Sequence, residues 1–205
     1  MELADDEYRT FAGECEASIR ERSSKFLTLG FHVESEQEIA EIVERLRKKY
    51  YDATHHCYAW RLGFKGEKWR ANDDGEPSSS AGKPILGQLL SEEITNALIV
   101  VIRWFGGTKL GVPGLIAAYR ESAAEVIKAA DVQLRTIDAV YEIMFGFESM
   151  NDVMKAVKEL EVKILNQNFD NLCTMTVSIR QSKQAMFEKR LENAENVKLN
   201  FLEYK

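Results

Sequence analysis

Ala97-Leu98-Ile99-Val100-Val101-Ile102-Arg103-Trp104-Phe105-Gly106-Gly107-Thr108-Lys109-Leu110-Gly111 is the stretch from which the rest of the chain can be read. Its first six residues are apolar without interruption and predict a fully buried strand. Two glycines follow, and Pro113 fits the first turn of a helix whose Leu115, Ile116, Tyr119, Ala123, Val126 and Ile127 form a continuous apolar stripe. A strand, a Gly-rich loop carrying Lys109 and a helix start bring backbone N–H groups and a cation to one place, a geometry suited to phosphate. The same glycines would equally serve a tight strand-to-helix corner. The loop is no Walker A motif, because Val112-Pro113 follows Gly111 where that motif needs Lys and then Ser or Thr.

Upstream, Phe11 to Ile19 and Phe26 to Val33 read as two strands around the polar turn Arg20 to Ser24. Ser35 with Glu38 forms a capping box for a helix that buries Ile39, Ile42, Val43 and Leu46 and ends near Tyr50. His55 to Phe64 reads as a third strand. Gly63 to Gly82 is the least regular stretch, and Pro84 to Glu93 a helix. Downstream, Asp131 to Arg135 is expected as a linker. Strand 139–147, helix 150–160, strand 162–169, turn Asp170-Asn171, strand 172–180, helix 183–194 and strand 197–202 then give βαββαβ, the ferredoxin-like arrangement. The expected fold is α+β in two domains, a ββαβαβα unit over residues 1–132 and a small βαββαβ unit over 133–205.

Two hundred and five residues, 45% hydrophobic and 29% charged, sustain such cores without staples. A net charge of −6 argues against general wrapping of nucleic acid, and neither part is basic: residues 133–205 hold ten basic and eleven acidic side chains. Three scattered cysteines, Cys15, Cys57 and Cys173, indicate neither a disulfide framework nor a zinc site and point to a reducing cytoplasm. The acidic N-terminus lacks the character of a targeting peptide, and no apolar run reaches membrane-spanning length, so no membrane partner is expected.

Three further places can carry chemistry. On the strand from His55, alternation puts His55, Cys57, Ala59 and Arg61 on one face and His56, Tyr58, Trp60 and Leu62 on the other. Adjacent histidines therefore do not clamp one metal, and Cys57 lacks a recognisable orienting partner for a nucleophile. Asp73, Asp74 and Glu76 gather three carboxylates, enough for acid-base work with His55 or for a cation, yet in a Gly/Pro turn without EF-hand spacing. Trp104-Phe105 after Arg103 offers an aromatic for stacking beside a phosphate contact, with only one of the two rings able to face outward. No metal and no cofactor is expected.

Taken together, His55-His56-Cys57-Tyr58-Ala59-Trp60-Arg61, the run Asn72-Asp73-Asp74-Gly75-Glu76-Pro77-Ser78 continuing to Ala81-Gly82-Lys83-Pro84-Ile85-Leu86, and Val100 to Gly111 resemble the YigZ/IMPACT family in order and spacing. The resemblance spans about residues 8–130, and the tail resembles the small C-terminal domain of bacterial YigZ-type members. It implies a first domain like the second domain of ribosomal protein S5 and like domain IV of elongation factor G, followed by a ferredoxin-like unit. It also implies a theme, because the eukaryotic IMPACT branch regulates translation by binding proteins. Ser79-Ser80, Pro113 and Ala117 depart from residues frequent in the family, and an Arg is lost at position 117.

The expectation is a non-enzymatic cytoplasmic binding protein of translation. It would dock on the ribosome, RNA or a translation-associated protein through Arg103, Trp104, Gly106, Gly107, Thr108, Lys109 and Gly111, with Arg61 nearby. The alternative is an enzyme acting on a phosphorylated small molecule or nucleotide, with His55, Asp73, Asp74 and Glu76 as acid, base or metal ligands and Lys109 holding phosphate. Oligomeric state is not legible.

Overall fold

The computed structural model describes residues 3–169, 172–192 and 194–205, so the expected turn at Asp170-Asn171 lies outside the described residues. The chain is mixed α and β and divides into two compact units. In chain order the first unit contains β1 (Glu7–Phe11), β2 (Cys15–Glu21), β3 (Ser24–His32), α1 (Glu36–Lys49), β4 (His55–Leu62), β5 (Lys68–Asn72), α2 (Gly82–Ser91), β6 (Ala97–Trp104), α3 (Gly111–Ala129) and β7 (Val132–Thr136).

β2, β3, β6, β4 and β5 form an antiparallel sheet in that order, which places β6 at its centre. Leu98, Val100 and Ile102 pack with Ile39, Ile42, Val43 and Leu46 of α1. Ala97, Ile99 and Val101 pack on the other face with Ile85 and Leu89 of α2 and with Leu115, Tyr119, Ala123 and Val126 of α3. Helices on both faces explain the uninterrupted apolar run of β6, since neither set of alternate side chains meets water. On β4 the same alternation puts Cys57 and Ala59 in one core and Trp60 and Leu62 in the other. α1 starts where its cap predicts: the Ser35 side chain accepts from the Glu38 N–H, while the Glu38 carboxylate accepts from the Glu34 N–H at 2.9 Å.

Three strands depart from expectation. Phe11 belongs to β1, which pairs with β7, so the stretch expected as a linker at Asp131 to Arg135 is mostly strand. Lys68–Asn72 lies inside the stretch read as irregular. It is an edge strand held by its register on β4, from Tyr58 opposite Asn72 to Leu62 opposite Lys68. β5 and β7 are short, largely polar segments with little hydrophobic period, whereas β1 buries Tyr8 and Phe11 but is only five residues long.

The second unit contains β8 (Asp138–Phe145), α4 (Met150–Glu159), β9 (Lys163–Phe169), β10 (Cys173–Arg180), α5 (Gln184–Glu192) and β11 (Val197–Tyr204). Its sheet is antiparallel in the order β11-β8-β10-β9. Alternate residues of β8 and β10, from Ala139 to Phe145 and from Cys173 to Ile179, meet Val153, Ala156 and Val157 of α4 and Phe187 and Leu191 of α5. The units are Tyr8–Arg135 and Thr136–Lys205, and the N-terminal segment up to Glu7 goes with the latter rather than with residues 8–132. The reason is electrostatic. Asp6 accepts two bonds from Arg180, at 2.6 and 2.8 Å, and its carbonyl accepts from the Ile137 N–H at 2.8 Å.

Candidate functional site

Around the C-terminal end of β6 the sheet register sets the geometry. Arg103 stands opposite Phe26 of β3 and His55 of β4. Its side chain turns toward the face covered by α2 and α3 and is 4% exposed. A buried guanidinium requires a partner, and Glu76 supplies it with Oε1 at 2.5 Å from Arg103 Nη1. The Tyr119 hydroxyl donates to the same oxygen at 2.8 Å, and Arg103 Nη2 donates to Ser24 Oγ at 3.3 Å. Ser24 Oγ also accepts from the Gly106 N–H at 3.3 Å, which ties the loop to this buried knot. The ring of Phe26 lies 5.4 Å from the guanidinium carbon.

The carboxylate turn is built by local chemistry. Asn72 accepts from the Asp74 N–H, Glu76 N–H closes onto the Asp73 carbonyl, and Asp74 and Gly75 take left-handed φ of 41° and 86°. Each carboxylate then has a structural employer. Asp73 accepts from the N–H groups of Ser79, Ala81 and Gly82, and so caps α2 from a distance, since Ala81 at the N-cap has no side chain to do so. Asp74 accepts from Arg47 at 2.5 Å and from the His56 N–H at 2.6 Å. Glu76 serves Arg103 and Tyr119.

His55 Nδ1 faces the Asp74 carbonyl at 2.8 Å, and only a protonated ring nitrogen donates there; Nε2 lies 3.8 Å from Glu76. The structure thus brings His55, Asp74 and Glu76 together, with both carboxylates occupied. Cys57 lies between the Asp73 carbonyl at 3.0 Å and the Tyr119 hydroxyl at 3.3 Å, and burial pushes its thiol far above the usual range. Burial likewise pushes Tyr119 up. Neither offers a nucleophile near neutral pH. Among the described residues no group of three or more His, Cys, Asp or Glu is placed to hold a metal, and no helix is long and apolar enough to cross a membrane.

Beyond Arg103 the chain changes character. Trp104 is half-buried: its indole N–H donates to Asp52 at 2.9 Å, the Lys25 ammonium lies 4.8 Å above its ring, and Tyr50 meets it edge-on. The stacking ring expected at Trp104 is therefore spent on the fold, and the outward aromatic is Phe105, 47% exposed, with its N–H on Thr54 Oγ1. Gly106 is required by contact, because a Cβ there would lie 2.1 Å from the Ser23 carbonyl carbon. Gly107 and Gly111 are required by conformation, at φ 86° and 72°. Gly107, Thr108, Lys109 and Gly111 are exposed, and α3 begins with neither a side-chain cap nor an acidic residue in its first turn.

Two more expected site residues are corrected. Arg103 is no free surface cation, because Glu76 neutralises it inside the protein. Arg61 is remote from the loop: it stands opposite Ala97 while His55 stands opposite Arg103, six residues away or about 20 Å along a strand. Arg61 donates to the carbonyls of Ile94 at 2.9 Å and Lys65 at 3.2 Å, where it pins a turn. Sequence reading missed Ser24, taken as turn polarity, and Tyr119, taken as part of an apolar stripe. A hydroxyl in an otherwise apolar helix face was the available signal.

A unit built on a five-stranded antiparallel sheet with a propped glycine loop, followed by a four-stranded βαββαβ unit, defines a two-unit mixed α/β protein. Residues 22–127, just over half the chain, match the family described as the Impact N-terminal domain, and the chain belongs to the IMPACT family. It is 28% identical over 183 residues to the IMPACT family member YigZ of Escherichia coli, covering 88% of this chain and 90% of that protein. It is 29% identical over 192 residues to the IMPACT family member YvyE of Bacillus subtilis, covering 94% and 88%. A crystal structure of a hypothetical protein superposes with a TM-score of 0.72 at 25% identity, covering 98% of this chain and 99% of that one.

Proposed function

We propose that this chain is a non-catalytic binding protein of translation that docks on the ribosome, its RNA or a protein bound to it, through the loop from Phe105 to Val112. The observation that carries the reading is the division of labour at the end of β6. The groups equipped for chemistry are engaged with one another inside, and the loop they prop presents an exposed ring, a cation and glycine backbone outside. Phe105, Gly106, Gly107, Thr108, Lys109 and Gly111 form the docking segment, and Arg103 acts behind it as a prop. Exposed peptide N–H groups beside Lys109 suit a phosphate or carboxylate. The net charge of −6 favours a local contact over general RNA affinity.

Family membership supports the link to translation. The order β11-β8-β10-β9 over a βαββαβ chain supports a ferredoxin-like reading of the second unit. The family resemblance supports a first unit like the second domain of ribosomal protein S5. Three free thiols are consistent with a cytoplasmic setting.

The test is co-sedimentation with ribosomes at low and moderate salt, comparing the native protein with Phe105→Ala/Lys109→Ala. Arg103 is left intact because its loss would unfold the support of the loop. Native protein pelleting with ribosomes while the variant stays in the supernatant is the expected result. Equal pelleting of both, or of neither, overturns this docking site.

A further inference from the structure

We propose that the cleft between α5 and β11 is a binding site for a small organic ammonium ion. This cleft, about 370 Å³, is lined by the exposed Phe201 with the buried Tyr141 behind it, by Leu199 and Val197, and by Glu188 and Glu192. Its volume falls within the range of small-molecule sites. The charge of the lining has one sign. Glu188 and Glu192 stand one turn apart on the same face of α5. Lys183 and Arg190 are directed instead to Glu161 and Glu159.

The carboxylate nearer the core is held in place before any ligand arrives. Glu188 Oε1 accepts from the Tyr141 hydroxyl and from Gln184 Nε2 at 3.1 Å. Gln184 is itself fixed, donating to the Tyr141 oxygen at 2.7 Å and accepting from the Tyr204 hydroxyl at 3.0 Å. These donors keep the Glu188 carboxyl below its ordinary range and therefore ionised. Both bonds to this carboxyl fall on Oε1.

Phe201 is 47% exposed beside these carboxylates, and its ring centroid lies 5.5 Å from that of Tyr141 in an edge arrangement. An ammonium is attracted both by carboxylates and by the negative faces of aromatic rings. Val197 and Leu199, both part-exposed, provide a surface for an aliphatic stem. A neutral ligand would leave the carboxylates unused, and an anion would be repelled. The site lies wholly in the second unit and does not depend on the docking loop.

Titration of the full chain with pentylammonium and agmatine, followed by calorimetry and by the aromatic proton resonances of Tyr141 and Phe201, tests the assignment. 1-Hexanol serves as the uncharged comparison. Both cations should bind and move those resonances, and Glu192→Gln should weaken binding about tenfold, the loss of one charge-assisted hydrogen bond. Glu188→Gln/Glu192→Gln should abolish it and Phe201→Ala reduce it, with unfolding curves confirming that each variant is folded. The site is overturned if 1-hexanol binds as tightly as the cations, if the charge variants bind as the native chain does, or if millimolar cation leaves both rings unmoved.

Discussion

Arg103 and Lys109 lie six residues apart in one strand-and-loop segment and do opposite work. Arg103 is sealed in a knot with Glu76, Tyr119 and Ser24, while Lys109 stands in solvent at the uncapped start of α3. Both are basic residues in one motif of the family, and motif membership alone would make both ligand contacts. Burial separates them: a guanidinium away from water must be neutralised at home, whereas an exposed ammonium is free for a partner. The knot and the loop should therefore answer differently to substitution.

The largest effect is expected at the knot. Arg103→Ala strands Glu76 as a buried charge and should cost about 3–5 kcal/mol of unfolding free energy. Adding Glu76→Gln to that variant should restore part of the loss, which a double-mutant cycle in denaturant measures. A cost for Arg103→Ala no larger than that of a surface substitution, about 0.5 kcal/mol, would erase the contrast.

Next comes the seam between knot and loop. Gly106→Ala forces a Cβ into the Ser23–Ser24 backbone and should cost about 1–3 kcal/mol, the penalty of overpacking. Gly107→Ala meets no atom within 4 Å and suffers only from its φ of 86°, for about 1–2 kcal/mol. Thermal unfolding that ranked Gly107→Ala above Gly106→Ala would show that conformation, not contact, sets the seam.

The second unit offers a smaller, pH-dependent test of buried pairing. Hydrogen bonds from Arg180 hold the Asp6 carboxyl well below the usual carboxylate range. A depressed folded-state pKa means stabilisation that is complete above the unfolded value, about 3.9, and fades as pH falls below it. Asp6→Asn should thus lower the unfolding midpoint at pH 7, and the gap to the native protein should shrink below about pH 4. A gap that widened on acidification would reverse the sign and reject the pairing.

The smallest stability effect belongs to the loop. Phe105→Ala and Lys109→Ala should each change unfolding free energy by no more than about 0.5 kcal/mol. Circular dichroism melts of these variants should overlay that of the native chain even where ribosome pelleting is lost.

Much of this was legible in the residues. The uninterrupted apolar run of β6, the Ser35 cap of α1, the alternation along β4 and the βαββαβ period of the second unit all rest on local chemistry, and they placed most of the helices and the principal strands. So did the three motifs that mark the IMPACT family. β1 and β7 were not legible, since each pairs with a strand remote in sequence, and β5 was not because it is a polar edge strand without hydrophobic alternation, although it pairs with the neighbouring β4. Nor was the assignment of Asp6 to the second unit, which depends on an arginine 174 residues away.

The candidate site divides in the same way. Glycines and a lysine between strand and helix announce by themselves a loop suited to close approach, because backbone freedom and charge are properties of single residues. Which arginine is exposed, which aromatic faces out and whether three neighbouring carboxylates are free are decided by what surrounds them. Only the folded chain brings Glu76 to Arg103 and Asp74 to Arg47, because the pairing of these charges is settled by contacts 27 residues apart in sequence.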